Sequence, residues 1–167
     1  MIYLLLVLPF PPAFILHELE ELMVQHRWMA AHRTSLMEGF PSMRSLIGRL
    51  STLGTRAFAI AALEELVLLL LATAWMLVQG PLALQIWSAL FMAFSFHLLV
   101  HIGVALVLRS YVPGLATSVL LLPFAAYGVW SIWLVMSAWE MVLWAVLGIV
   151  FMWFNLYVAH HAGRRFS

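Results

Sequence analysis

The chain has 167 residues, of which 65% are hydrophobic and 9% are charged, and its formal net charge is +1. Soluble domains are about 45–50% apolar and about 25% charged, so this composition excludes a soluble protein and predicts an integral membrane protein. No basic patch points to nucleic acid, and we expect none as a partner. The absence of cysteine excludes disulfides and thiolate metal ligands.

Five stretches are long and apolar enough to span a bilayer, which takes about 20 residues of helix. In chain order they cover residues 2–24, 57–78, 82–108, 114–136 and 141–162. The first contains Pro9, Pro11 and Pro12, where we expect the helix to bend or break. A long polar segment, partly helical and partly interfacial, joins the first two spans, and the other connections are short. The predicted fold is all-α: one polytopic membrane domain over residues 1–167, a bundle of five transmembrane helices.

The positions of the arginines predict how this bundle is oriented in the membrane. All eight basic side chains are arginines, and five spans place every one of them on the same side of the membrane. Five arginines lie in the first connection, Arg109 follows the third span, and Arg164 and Arg165 follow the fifth. Because basic connections stay in the cytoplasm, we expect the N-terminus outside and the C-terminus in the cytoplasm.

Histidines and glutamates from four spans converge in the cytoplasmic half of the bilayer. These residues are His17, Glu20, Glu21, Glu64, Glu65, His97, His101, His160 and His161. Along their helices, His17, Glu64 and His101 lie about 12–15 Å from the nearest arginine landmark. Glu20 and Glu21 share a helix face with His17, and His97 and His101 are one turn apart.

A bound metal ion accounts for this cluster. An ionised group inside a membrane costs about 2.5–3.5 kcal/mol, and the chain has no lysine that could compensate the carboxylates. Helix bundles use histidine and glutamate on facing helices to bind metal ions. The predicted ligands are His17, Glu20, Glu64, His97, His101 and His161. This set suits zinc or iron, as one ion or as a carboxylate-bridged pair.

Neighbouring residues leave alternatives within this ligand set. Either Glu20 or Glu21 is the ligand, since both share a helix face with His17. Only one of Glu64 and Glu65, and only one of His160 and His161, is expected to face the site, because adjacent residues point about 100° apart on a helix. Carboxylates outside the ligand set, Glu21 and Glu65, are the candidate catalytic bases that would act on metal-bound water.

Two motifs resemble a known family. The segment HELEE carries a His-x-x-Glu-Glu motif and YVPG carries a Tyr-x-Pro-Gly motif; the matching residues are His17, Glu20, Glu21, Tyr111, Pro113 and Gly114. In this order they resemble the HXXEE domain family of small bacterial membrane proteins, which also has a further histidine. Here that residue is His101, with His97 as the alternative. The resemblance spans the first four predicted helices and implies a bacterial inner membrane location, but it implies no reaction.

The sequence therefore predicts a membrane-embedded metal-dependent enzyme that acts on a membrane lipid or another lipophilic small molecule. Hydrolysis of an ester or amide is the expected reaction, and oxidation of an alkyl chain if the ion is iron. One alternative is a metal-free acid–base isomerase of a sterol- or polyprenyl-like lipid, in which Glu20 and Glu64 shuttle protons. Two further alternatives are the transport of metal ions or protons and a purely structural role. The sequence does not determine the oligomeric state.

Overall fold

A computed structural model describes the backbone of residues 4–52 and 54–163, and the side chains of residues 5–52 and 54–155. Helices make up 87% of the structure, and the described residues contain no strand, which confirms the all-α prediction. The helices are α1 (Leu4–Val7), α2 (Phe10–Gly39), α3 (Arg44–Ser51), α4 (Thr55–Leu77), α5 (Ala83–Leu108), α6 (Leu115–Trp133) and α7 (Ala138–Gly163), with a 3₁₀ turn over Pro41–Met43.

The predicted first span, residues 2–24, is divided between two helices. Helix α1 ends at Val7 and α2 begins at Phe10, so the helix is interrupted where the prolines begin. Pro11 and Pro12 fall in the first turn of α2, where a missing N–H removes no helical hydrogen bond. Helix α2 then continues for 30 residues, about 45 Å, well past the predicted end of the span.

Four helices of the described chain are long and apolar enough to cross a membrane. They are α4, α5, α6 and the Ala138–Asn155 part of α7, and they match the second to fifth predicted spans within a few residues. Helix α2 is not among them, because Glu18, Glu20, Glu21 and Arg27 all lie within its first eighteen residues. These four helices support an integral membrane protein.

Helix α5 lies at the centre of the bundle, packed against α4, α6 and α7, while α2 packs against α4 and α6. Large aromatic side chains connect α2 to α5. The ring centroids of Phe10 and Phe91 lie 5.0 Å apart, and those of Phe14 and Phe94 lie 6.1 Å apart. Because the contacting residues follow in the same order on both helices, α2 and α5 run in the same direction. This register places the polar residues of α2 beside those of α5.

Candidate metal centre

The HELEE segment turns its polar residues toward the interior of the bundle. His17, Glu20 and Glu21 have 0%, 9% and 7% of their surface exposed, whereas Leu19 has 47% exposed. Residues three and four apart lie on the same face of an α-helix, so the His-x-x-Glu-Glu spacing places all three polar side chains on one face. The segment thus delivers one imidazole and two carboxylates to the interior of the bundle.

Four side chains from α2 and α5 converge into what we call the His/Glu cluster: His17, Glu21, His97 and His101. Each offers one potential ligand atom, and the four atoms all lie within 4.8 Å of one another. Nε2 of His101 lies 2.9 Å from Oε1 of Glu21 and 3.0 Å from Nε2 of His97. The ring centroid of His17 lies 5.1 Å from that of His97 and 5.0 Å from that of His101.

The contacts around His17 determine which of its ring nitrogens carries the proton. Nδ1 lies 2.9 Å from the hydroxyl oxygen of Thr117, and that hydroxyl donates to a carboxylate oxygen of Glu20 at 2.5 Å. A hydroxyl has one proton to donate, so the His17 proton must be on Nδ1 and the lone pair on Nε2. Nε2 is buried and has no hydrogen-bond partner among the described residues. This is the form in which an imidazole binds a metal ion.

Glu20 lies beside the cluster, at the N-terminus of α6. Its Oε1 accepts hydrogen bonds from the Tyr111 hydroxyl at 2.7 Å and the Ala116 N–H at 3.2 Å, and its Oε2 accepts one from the Thr117 N–H at 2.7 Å. The first N–H groups of a helix lack intrahelical partners and carry partial positive charge, so a carboxylate from a neighbouring helix stabilises them. The charge of Glu20 is thereby stabilised by donors of the protein itself.

The Tyr-x-Pro-Gly motif forms the turn that brings the start of α6 to α2. Gly114 has a φ of +79°, a backbone conformation that L side chains rarely adopt. A Cβ atom at this position would lie 2.9 Å from Nδ1 of His101 and 3.0 Å from Oε1 of Glu21. Both the backbone conformation and the space around it therefore require glycine, since the turn packs directly against the cluster.

Tyr111 lies in the connection between α5 and α6, outside the candidate spans. Partial desolvation, followed by the hydrogen bond to Glu20, raises the pKa of its phenol to about 12. The indole N–H of Trp28, from α2, donates to the Tyr111 backbone carbonyl at 2.9 Å. Both contacts tie the connection to α2, and the phenol stays protonated and able to donate near neutral pH.

A cavity adjoins the cluster between α2, α4, α5 and α7. Its polar lining residues are Glu18, Glu21, Glu65, His97 and Asn155, and the remainder of the lining is apolar. Oε1 of Glu65 is buried and has no hydrogen-bond partner among the described residues. The neighbouring Glu64 is exposed and accepts a hydrogen bond from the Asn155 amide at 3.3 Å. The structure therefore turns Glu65, rather than Glu64, into this cavity.

The structure thus groups only some of the predicted ligands. His17, His97 and His101 meet in the cluster together with Glu21, whereas Glu20 contacts the start of α6. Glu64 lies outside the cluster, and the side chain of the predicted ligand His161 lies outside the described residues.

Sequence reasoning missed Thr117, whose hydroxyl connects His17 to Glu20. A search for ionisable residues passes over a threonine, because its hydroxyl does not titrate in the physiological range. The available signal was its place three residues after Gly114, in the first turn of the helix that the Tyr-x-Pro-Gly motif begins. A side chain in that turn is well placed to contact any group that caps the helix.

The fold and the site together define an all-helical membrane protein with a buried His/Glu cluster between two of its helices. The chain belongs to the HXXEE family: the family model described as "Protein of unknown function with HXXEE motif" matches residues 8–128. The resemblance predicted from the two motifs is confirmed. The match includes every cluster residue and the Tyr-x-Pro-Gly turn. We found no match among curated proteins or solved structures.

Proposed function

We propose that this protein is a membrane-embedded metalloenzyme that binds a divalent ion at the His/Glu cluster and acts on a lipophilic substrate. The observation that carries the proposal is the convergence of three imidazoles and one carboxylate within 4.8 Å. Nε2 of His17 adds support, because it is a buried lone pair without a donor among the described residues. Zinc and iron are the ions that such a nitrogen-rich set favours.

The spacing of the ligand atoms supports this proposal. Zinc bonds of about 2.0–2.1 Å to nitrogen and oxygen imply about 3.3 Å between neighbouring ligands of a tetrahedral ion. The two contacts of His101 Nε2, at 2.9 and 3.0 Å, are within a few tenths of an ångström of that value. Two imidazole nitrogens this close need either a shared proton or a cation between them. Small side-chain rotations would admit the cation.

The adjoining cavity supports an enzymatic role for the ion. A bound zinc ion would activate water for hydrolysis, and iron would instead favour oxidation of an alkyl chain. Glu65 is the candidate general base, since one of its oxygens is buried in this region without a partner among the described residues. A second ion would draw on Glu18 and Glu65, which line the same cavity. The apolar remainder of the lining favours a lipophilic substrate.

Metal analysis of the detergent-purified protein tests the proposal. We expect about one zinc or iron ion per wild-type chain, since the cluster offers one set of ligands. His97→Ala and His101→Ala should lose the ion, because each removes one imidazole of the cluster. His26→Ala is the matched control, since His26 is an exposed histidine of α2 outside the cluster. Wild-type protein that is folded and stays metal-free after zinc and iron are supplied would overturn the proposal.

A metal-free acid–base enzyme is the second candidate, and one specific observation favours it. Nε2 of His101 is within hydrogen-bond distance of both Glu21 and His97, so these groups can exchange protons without an ion. A folded, metal-free protein that co-purifies with a sterol- or polyprenyl-like lipid would support this candidate. Lipid mass spectrometry and metal analysis of the same sample therefore separate the two candidates.

We further propose that the start of α2 forms a fifth span, with the N-terminus outside and the C-terminus in the cytoplasm of a bacterium. The parallel direction of α2 and α5 fits this topology. The cysteine-free chain allows single-cysteine labelling in intact cells with a membrane-impermeant maleimide. Ser137→Cys, before α7, should react from outside, and Ser110→Cys, after α5, should react only after permeabilisation. The reverse pattern would contradict the proposed orientation.

A further inference from the structure

Two neighbouring cavities lie end to end along α4, α5 and α7. The cavity beside the His/Glu cluster and a second cavity between α4, α5 and α7 share three lining residues: Leu68, Leu90 and Phe151. Cavities that share lining residues on three different helices lie next to each other, with those three side chains between them. We call the combined space the chain channel.

The polarity of the chain channel changes along its length. The end nearest the cluster carries Glu18, Glu21, Glu65, His97 and Asn155. The second section is lined by aliphatic residues, aromatic residues and one glycine, without an ionisable side chain. A space with carboxyl groups and an imidazole at one end and hydrocarbon along the rest matches a molecule with a polar head and one apolar tail.

The length of the channel can be read from all three helices that line it. On α4 it runs from Glu65 to Trp75, and on α5 from His97 back to Ile86. On α7 it runs from Asn155 back to Trp144. Each interval is ten or eleven residues, which corresponds to about 15–17 Å. At about 1.2 Å per bond of an extended chain, this length holds about 12–14 carbon–carbon bonds.

Small residues make room for this channel. Ala72 and Ala89 line the apolar section and are 7% exposed each. Gly148 lines it from α7, and because a Cβ atom there would clash with the Ala89 backbone, this glycine lets α5 and α7 pack closely beside the section. A larger residue in place of Ala72 or Ala89 would extend into the space between α4, α5 and α7.

We infer that the substrate is a single-chain lipid whose polar head lies at the His/Glu cluster and whose unbranched tail of about 12–14 carbons fills the chain channel. This inference rests on the proposed function and names its substrate class. Because Glu21 and His97 belong to both the cluster and the channel lining, a head group bound at the cluster continues directly into the channel.

A photoreactive fatty acid tests the inference. Myristic acid with a diazirine near its terminal methyl is irradiated with the purified wild-type protein in lipid nanodiscs, and the labelled residues are identified by mass spectrometry. Labelling should concentrate on the apolar section, near Trp75, Ile86 and Trp144. A second probe with the diazirine near the middle of the chain should instead label residues around Leu68 and Phe151.

Two alanine variants provide a matched comparison on α4. Ala72→Phe fills the apolar section and should reduce terminal-probe labelling there about fivefold or more, because added side-chain volume displaces the tail. Ala74→Phe adds the same volume at an exposed position two residues away and should leave the labelling unchanged. The wild-type pattern with the two probes remains decisive even if Ala72→Phe does not fold.

Metal analysis of the same samples separates this inference from the proposed function. Channel labelling of a metal-free protein supports the chain channel and overturns the metal centre. The opposite result is a metal-loaded protein whose lipid-facing residues are labelled evenly by either probe and in both alanine variants. This result overturns the chain channel and leaves the metal centre standing.

Discussion

Replacing Thr117 by valine should weaken metal binding without removing any ligand. Valine preserves the shape of the side chain but lacks the hydroxyl that accepts from His17 Nδ1 and donates to Glu20. The Thr117 backbone N–H still donates to Glu20 in the variant, so the cap on α6 remains. The substitution therefore removes the hydroxyl's contacts with His17 and Glu20 and leaves the four side chains of the His/Glu cluster in place.

The size of the effect follows from the geometry around His17. An Nδ1–H left buried without an acceptor costs about 1–3 kcal/mol. His17 can avoid this cost by moving its proton to Nε2, but a metal ion must then displace that proton to bind. Loss of a hydrogen bond that orients a histidine ligand lowers metal affinity by about 10–100-fold, or about 1.4–2.7 kcal/mol.

The measurement is a competition titration of zinc against a chromophoric chelator, made on wild type, Thr117→Val and Thr117→Ser. The serine variant is the matched control, because it keeps the hydroxyl and loses only a methyl group. We expect serine to bind zinc close to wild type and valine to bind it at least about tenfold more weakly. Equal affinities for folded valine and serine variants would refute the assigned proton position on His17.

Three further predictions follow from the site. Gly114→Ala should lower the free energy of unfolding by about 2 kcal/mol or more, because a side chain at this position is strained and meets the cluster. Gly39→Ala is the control: no atom lies within 4 Å of the added Cβ, so the free energy of unfolding should change by less than about 1 kcal/mol. Denaturant titration measures both changes. Glu21→Gln should lose bound metal in elemental analysis, whereas Glu38→Gln, an exposed change on the same helix, should retain it; equal metal contents would contradict Glu21 as a ligand. Titration of Tyr111 should make the protein less stable in alkali. The pKa of its phenol is about 12 in the folded protein and 10.0 ordinarily, so its contribution to the free energy of unfolding is complete below pH 10 and is lost as the pH rises through 12. Unfolding curves of Tyr111→Phe should show a weaker decline over that range, and an unchanged decline would argue against this titration.

The sequence was sufficient for the features that depend on composition and local spacing. Apolar runs long enough to span a bilayer predicted α4 to α7 within a few residues, because inside a membrane the backbone must satisfy its own hydrogen bonds in a helix. The 3.6-residue period predicted that His17 shares a face with Glu20 and Glu21, and that His97 and His101 are one turn apart. Convergence of His17, His97 and His101 followed from their similar distances to the arginines.

The path of the first helix could not be read from its composition alone. Hydropathy predicted one span over residues 2–24, but the helix is interrupted after α1, and α2 continues to Gly39. The prolines marked the break correctly, because a proline in the first turn of a helix removes no backbone hydrogen bond, whereas a proline in the interior does. The polar segment after this span was predicted to be partly helical, but its composition did not indicate where the helix would end, since polar residues are compatible with both a helix and a loop.

Only the tertiary structure decided between neighbouring carboxylates. Glu20 and Glu21 both lie near the face of His17, so their local geometry is nearly equivalent. The difference arises because α6 begins beside Glu20 and offers it N–H and hydroxyl donors, whereas α5 presents imidazoles to Glu21. Which group a side chain meets depends on where another helix starts, and that position is set by packing across the bundle rather than by spacing along one helix.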